Sequence, residues 1–117
     1  MPQPMNDWLI HRLEHIKDAA HQACIFVEGM EREDFVADVR THQACSLNLI
    51  IIGEAAKRIL DRHPDMAEHY PHIAWRQMAG MRNRIAHGYD EIDLDTVWDT
   101  ITKVLPGLIE AIGEMNA

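Results

Sequence analysis

Between Leu94 and Ile112, apolar residues return every three or four positions: Leu94, Val97, Trp98, Ile101, Val104, Leu105, Leu108, Ile109 and Ile112. That spacing lays one apolar side along an α-helix and fits no face of a strand. The stripe needs partners, and the rest of the chain repeats its period. Leu9, Leu13, Ile16, Ala20, Cys24 and Val27 predict a first helix, capped by Asn6 or Asp7 and stopped at Gly29, with residues 1–5 as a loose leader. Phe35, Val39, His42, Ser46, Leu49, Ile52, Ala56 and Ile59 predict a second, from about Arg32 to Arg62. His63-Pro64 ends it, because the residue before a proline is pushed out of the helical region. Pro71 suits the first position of a third helix, with Trp75 near its start and Ile73, Met78, Met81 and Ile85 on its apolar side; Gly88 is its stop. Asp93 caps the last helix, which Pro106 must kink or split, since proline lacks an amide and clashes with the preceding turn. No segment alternates in strand fashion. The expected fold is all-α, an up-and-down bundle of four to five helices forming one domain over residues 1–117.

Charge narrows the function. Asp and Glu number 19 against 11 Lys and Arg, a formal net charge of -8, which argues against a duplex DNA-binding protein with a broad basic face. A partner with phosphates has to be met by a local positive pocket. The N-terminal MPQPMNDW carries no apolar signal core, and the longest apolar run, 49–53, is far short of the roughly 20 residues that cross a bilayer. A soluble, cytoplasmic protein without membrane contact is expected. Cys24 and Cys45 form no CxxC pair and read as buried, reduced thiols. His11 and His15, four residues apart, lie off the apolar stripe without a third ligand, so they read as surface histidines and no metal site is predicted.

Two features of the second helix reach beyond a simple bundle. Leu47, Leu49, Ile50, Ile51 and Ile52 cover nearly its whole circumference, which means burial on several sides. Either a second copy covers one side, giving a dimer, or the helix is central to its own bundle. Glu54 follows directly; if buried it needs a cation, for which Arg82 or Arg84 is the candidate, and otherwise it faces water.

The stretch from Arg76 to Ile85 holds three guanidiniums and no carboxylate. His87 then falls where Gly88 is about to stop the helix, and Tyr89 follows. Along a continuous helix Arg82 and His87 lie about 140° and ~7.5 Å apart, so only a long arginine reaching back brings them to one phosphate. The negative end of a helix dipole favours protonated imidazole and holds His87 near neutrality. A guanidinium binds phosphate oxygens in a planar, bidentate manner and stabilises growing negative charge. Together these groups suffice for RNA cleavage by the 2′-hydroxyl without a metal, and DNA has no such hydroxyl. The R-x4-H spacing by itself is a weak signal, since Arg and His also close helices for electrostatic reasons alone.

Arg82-Asn83-x3-His87-x-Tyr89 resembles the R-x4-H-x-Y motif of HEPN-domain proteins, specifically the HepT-like ribonuclease toxins. The resemblance extends to IIGEAAKR (51–58), WRQMAGM (75–81), DLDTVW (93–98) and Leu105-Pro106, in order and over essentially the whole chain. It implies an all-α HEPN fold that dimerises so that two motifs line one cleft. It also implies a metal-independent endoribonuclease, the toxin of a type VII-like toxin–antitoxin system, needing no cofactor. Its partner would be a nucleotidyltransferase antitoxin that transfers AMP from ATP to a tyrosine, within a homodimer or a higher assembly with that antitoxin. Carried over by position, Arg82 and His87 are the catalytic pair, Asn83 the polar neighbour that orients them, and Tyr89 the AMP acceptor. Arg84 and Glu54 remain supporting candidates from the residue reading. The competing reading is a non-catalytic HEPN module that binds nucleotide or the partner transferase in the same cleft.

Overall fold

The computed structural model describes residues 6–86 and 91–115. Among them the chain is all-α, with helices α1 (Asp7–Phe26), α2 (Arg32–Ala37), α3 (Val39–Arg62), α4 (Met66–His69), α5 (Trp75–Ala79), α6 (Met81–Ile85), α7 (Leu94–Asp99) and α8 (Leu105–Met115). A π-helical turn, Thr100–Val104, joins α7 to α8.

α1 and α3 form the central pair, packed antiparallel. The Cys45 thiol on α3 lies 3.9 Å from the Ala23 carbonyl near the end of α1, while Trp8 at its start meets His63 just past α3. Leu13, Ile16, Ala20 and Ala23 of α1 and Leu49, Ile52, Ala56 and Ile59 of α3 are fully buried. α8 lies along α1, and α5 and α6 lie on α3.

The predicted caps at both ends of the chain are present. Asn6 Oδ1 accepts the Leu9 amide at 2.8 Å, and Asp93 Oδ1 accepts the Thr96 amide at 3.0 Å, each satisfying a donor that the first helical turn leaves orphaned. Gly29, with φ of 76°, turns the chain after α1 in a conformation that costs glycine little.

The predicted second helix is two. The chain breaks at Asp38, whose carboxylate accepts the Thr41 amide at 3.1 Å and caps α3. Those Thr41 bonds, first from its amide and then from its side chain, hold the Asp38 carboxyl below the ordinary range. The apolar period runs across this break without a gap, which is why the sequence alone reads as one rod. Val39, placed on the apolar side, is exposed. The Arg32 guanidinium on α2 reaches Asp95 at 2.7 Å and Asp99 at 2.8 Å and ties α2 to α7.

The predicted third helix is also divided. Pro71 lies in a turn before α5 rather than at a helix start, and Gly80 separates α5 from α6. The Trp75 indole donates to the Tyr70 carbonyl at 3.1 Å, so the start of α5 is fixed by that turn.

Pro106 interrupts the last helix as expected, and the interruption takes the form of the π turn. Neither i−4 nor i−5 pairing can use an amide that Pro106 lacks, so a carbonyl in the preceding turn is left over. The Cys24 thiol lies 3.9 Å from the Ile101 carbonyl, the acceptor that the wider turn orphans. Both cysteines are free; Cys45 is buried, and that burial pushes its thiol up to about 11. Cys24, expected buried, is only partly so. No described helix is long and apolar enough to cross a membrane.

Candidate active site

α5 and α6 are held to α3 by Trp75, Met78, Met81 and Ile85, all buried. Gly53 sets how closely they approach. A Cβ at that position would lie 2.9 Å from the Met78 carbonyl and 3.2 Å from the Met81 Cβ, so a side chain there would push α5 and α6 away. With its apolar side fixed, α6 turns its other side outward. Arg82, Asn83 and Arg84 are all exposed, and so is Arg76 on α5. None of the three arginines forms an ion pair with a described residue. The local positive charge predicted within an acidic chain is therefore open to solvent, without an ion-pair partner among the described residues.

α6 ends earlier than the sequence implies. Ala86 is already extended (φ -104°, ψ 119°), so the helix does not continue to Gly88. The cause is the returning segment of chain: the Asp93 amide donates to the Ile85 carbonyl at 2.7 Å, and Ala86 forms an antiparallel bridge with Ile92. These bonds take over helix-end groups that a stop at Gly88 would otherwise cap. The spacing of Arg82 and His87 along a continuous helix consequently does not apply. His87, Gly88 and Tyr89 lie outside the described residues.

Glu54 does not pair with Arg82 or Arg84. It is exposed, and it lines a hollow with Arg12, His15 and Arg58 at the edge between α1 and α3. The second of its two expected fates holds, that of a carboxylate in water. His11 and His15 are exposed, and no group of metal-binding side chains occurs among the described residues.

The apolar belt of α3 divides as its geometry requires. Leu49 and Ile52 are fully buried, Ile50 and Ile51 are half-buried or more, and Leu47 is 58% exposed. A groove of about 510 Å³ runs between this outer side and Ile92, with His42, Ser46, Leu47, Ile50 and Leu94 among its walls. It lies beside the bridge that closes the end of α6. One long helix thus presents an open apolar strip facing Ile92 of that bridge.

Comparison with known proteins bears on what such a site belongs to. The "Ribonuclease HepT-like" family matches residues 16–115. This chain belongs to the HepT-like family. A "Probable ribonuclease HepT" from Thermococcus cleftensis is 36% identical over 96 residues, covering 82% of this chain and 84% of that protein. A "Putative RNase TTE0752" from Caldanaerobacter subterraneus is 33% identical over 103 residues, 88% of this chain and 89% of the other. A "Putative RNase MJ1216" from Methanocaldococcus jannaschii is 36% identical over 94 residues, 80% and 72% respectively. No solved structure gives a significant match.

The arginines of α6 that the sequence singles out are exposed. The sequence passes over a second cluster, Trp8, Arg12, Arg58 and Arg62, where the start of α1 meets the end of α3. Two spacings of four, Trp8 to Arg12 and Arg58 to Arg62, are the available signal. They acquire meaning only once the two helices are laid antiparallel.

Proposed function

We propose that this HepT-like chain is a metal-independent endoribonuclease acting as the toxin of a toxin–antitoxin pair. The observation that carries the reading is the exposed guanidinium of Arg82 on α6, without an ion-pair partner among the described residues, in a chain of net charge -8 whose relatives are named as ribonucleases. In the proposed reaction the ribose 2′-oxygen attacks the neighbouring phosphorus and forms a cyclic phosphate, while the bond from phosphorus to the departing 5′-oxygen breaks. His87 manages the proton that leaves the 2′-hydroxyl and the one the 5′-oxygen gains. Arg82 neutralises the phosphate oxygens in the transition state, Asn83 orients the pair and Arg84 adds positive charge nearby.

The working unit in this reading is a homodimer. The open strip of Leu47, Ile50 and Ile51 beside the Ile92 groove supports it, since a second copy on that strip would bring two α6 ends to one cleft. Control comes from a nucleotidyltransferase antitoxin. The Tyr89 phenol oxygen attacks the α-phosphorus of ATP, pyrophosphate leaves and the phenolic proton is lost, so a bulky anion then occupies the cleft.

The deciding experiment is RNA cleavage by the wild-type protein beside His87→Ala and Arg82→Ala. Each variant is expected to lose roughly 10²- to 10⁴-fold in rate, EDTA to leave wild-type cleavage intact, and the products to end in 2′,3′-cyclic phosphate. Cleavage by His87→Ala at the wild-type rate removes the mechanism. For control by AMP transfer, mass spectrometry after incubation with ATP and the transferase should find added AMP on Tyr89; modification of Tyr70 instead would overturn that assignment.

A further inference from the structure

Two guanidiniums lie over one indole where the start of α1 meets the end of α3, and a third, that of Arg58, lines the hollow beside them. The Arg62 guanidinium carbon lies 4.5 Å from the Trp8 ring centroid and that of Arg12 lies 5.6 Å from it. Two adjoining hollows, of about 260 and 210 Å³, share Arg12 and Arg58 as walls. The first is completed by Trp8, Arg62 and Asp61; the second reaches Ile50 and Ile51, at the edge of the open strip of α3.

These arginines are held but not used. None of them forms an ion pair or donates a side-chain hydrogen bond to a described residue. Stacking on an indole engages the flat face of a guanidinium and leaves its in-plane N–H donors free. Arg12 Nε is closed off from solvent and has no hydrogen-bond acceptor among the described residues. Arg58 and Arg62 stand one helical turn apart, about 6 Å along α3. Glu54 and Asp61 at the edges keep the groove from becoming a broad positive field. What remains is a row of directed donors, which suits a ligand with several phosphates in succession better than a single anion. A positive groove with aromatic and arginine stacking is how single strands are held without regard to sequence.

We infer that this groove is a second binding site for single-stranded RNA, in which Arg12, Arg58 and Arg62 hold phosphates remote from the one that is cleaved. Trp8 is a positioning residue for the guanidiniums of Arg12 and Arg62. The inference takes its substrate from the ribonuclease reading above. The smaller hollow and the Ile92 groove have Ile50 as a common wall.

The test uses the full chain and two probes. An uncleavable 2′-O-methyl single strand reports binding by fluorescence anisotropy, and a dinucleotide with one phosphodiester reports chemistry without the groove. In Arg58→Ala/Arg62→Ala, which alters two exposed residues, affinity for the strand should fall about tenfold or more. The slope of log affinity against log salt should shrink by about 0.7 for each phosphate that the variant no longer neutralises. Dinucleotide cleavage should not change, while KM for long RNA rises. Trp8→Leu should give a smaller loss of affinity. Unchanged affinity and salt slope in the double variant overturn the inference. So does a change in oligomeric state by light scattering with RNA affinity unchanged, which would assign the groove to a protein interface. Binding that depends on the groove in a protein that cuts no RNA would sink the catalytic reading and uphold this one.

Discussion

Leu47 and Leu49 are two residues apart on the same helix, yet Leu49 is fully buried and Leu47 is 58% exposed. The two positions lie about 200° apart around the helix, so they face opposite worlds. The inner side of α3, with Leu49, Ile52, Ala56 and Ile59, meets α1 and makes the core. The outer side, with Leu47, Ile50 and Ile51, lines the Ile92 groove, and Ile50 and Ile51 also reach the edge of the hollow that holds Arg12 and Arg58. Residue type is nearly the same at the apolar positions of both sides. Hydrophobicity alone therefore does not say what a side chain is for; the neighbour it meets does.

That contrast can be broken by substitution. Ile52→Ala should destabilise the chain by about 2–5 kcal/mol, since it leaves a cavity in a fully buried position; a chemical-denaturation midpoint near that of wild type would show the inner side to be softer than its burial implies. Gly53→Ala should cost about 1–3 kcal/mol, because the new methyl meets the Met78 carbonyl. Here the same denaturation curve should come with lowered RNA cleavage, as the seat of α5 and α6 shifts. Leu47→Ala should change stability by no more than about 0.5 kcal/mol in dilute solution, as an exposed position does. If a second copy covers the outer side, sedimentation should nonetheless show weaker self-association. Equal self-association in Leu47→Ala and wild type would leave that side without a partner.

The smallest effect concerns the start of α3. The Asp38 carboxyl is held below its ordinary value by the Thr41 amide and side chain. Its contribution to stability is complete above the unfolded value, about 3.9, and is lost as pH falls through the lower folded value. Acid melts should therefore be steeper for wild type than for Asp38→Asn in that window, and identical acid profiles would dismiss the cap.

What can be read from the sequence is local. Asn6 and Asp93 cap helices because a short side chain reaches an amide three residues ahead, and no distant neighbour is needed. The break at Asp38 is hidden because Phe35 and Val39 keep the four-residue spacing across it. The early end of α6 is hidden for the opposite reason. It depends on Asp93 returning to the Ile85 carbonyl, a bond between separated parts of the chain that no spacing announces. The arginines of α6 are legible through composition, whereas the pairing expected for Glu54 depends on how α6 sits on α3 and does not hold. The Trp8 cluster needs the antiparallel packing of α1 on α3 before its four residues have anything in common.

The wider turn at Thr100–Val104 carries one further implication. Because it accommodates an extra residue, it resets the angular phase of everything downstream, and Leu105, Leu108 and Ile112 are buried only in that reset phase. Deleting a single residue there would rotate α8 by about 100° and carry its apolar side away from α1. The chain is thus far less forgiving of a missing codon in this stretch than its exposed threonine and lysine would lead one to guess.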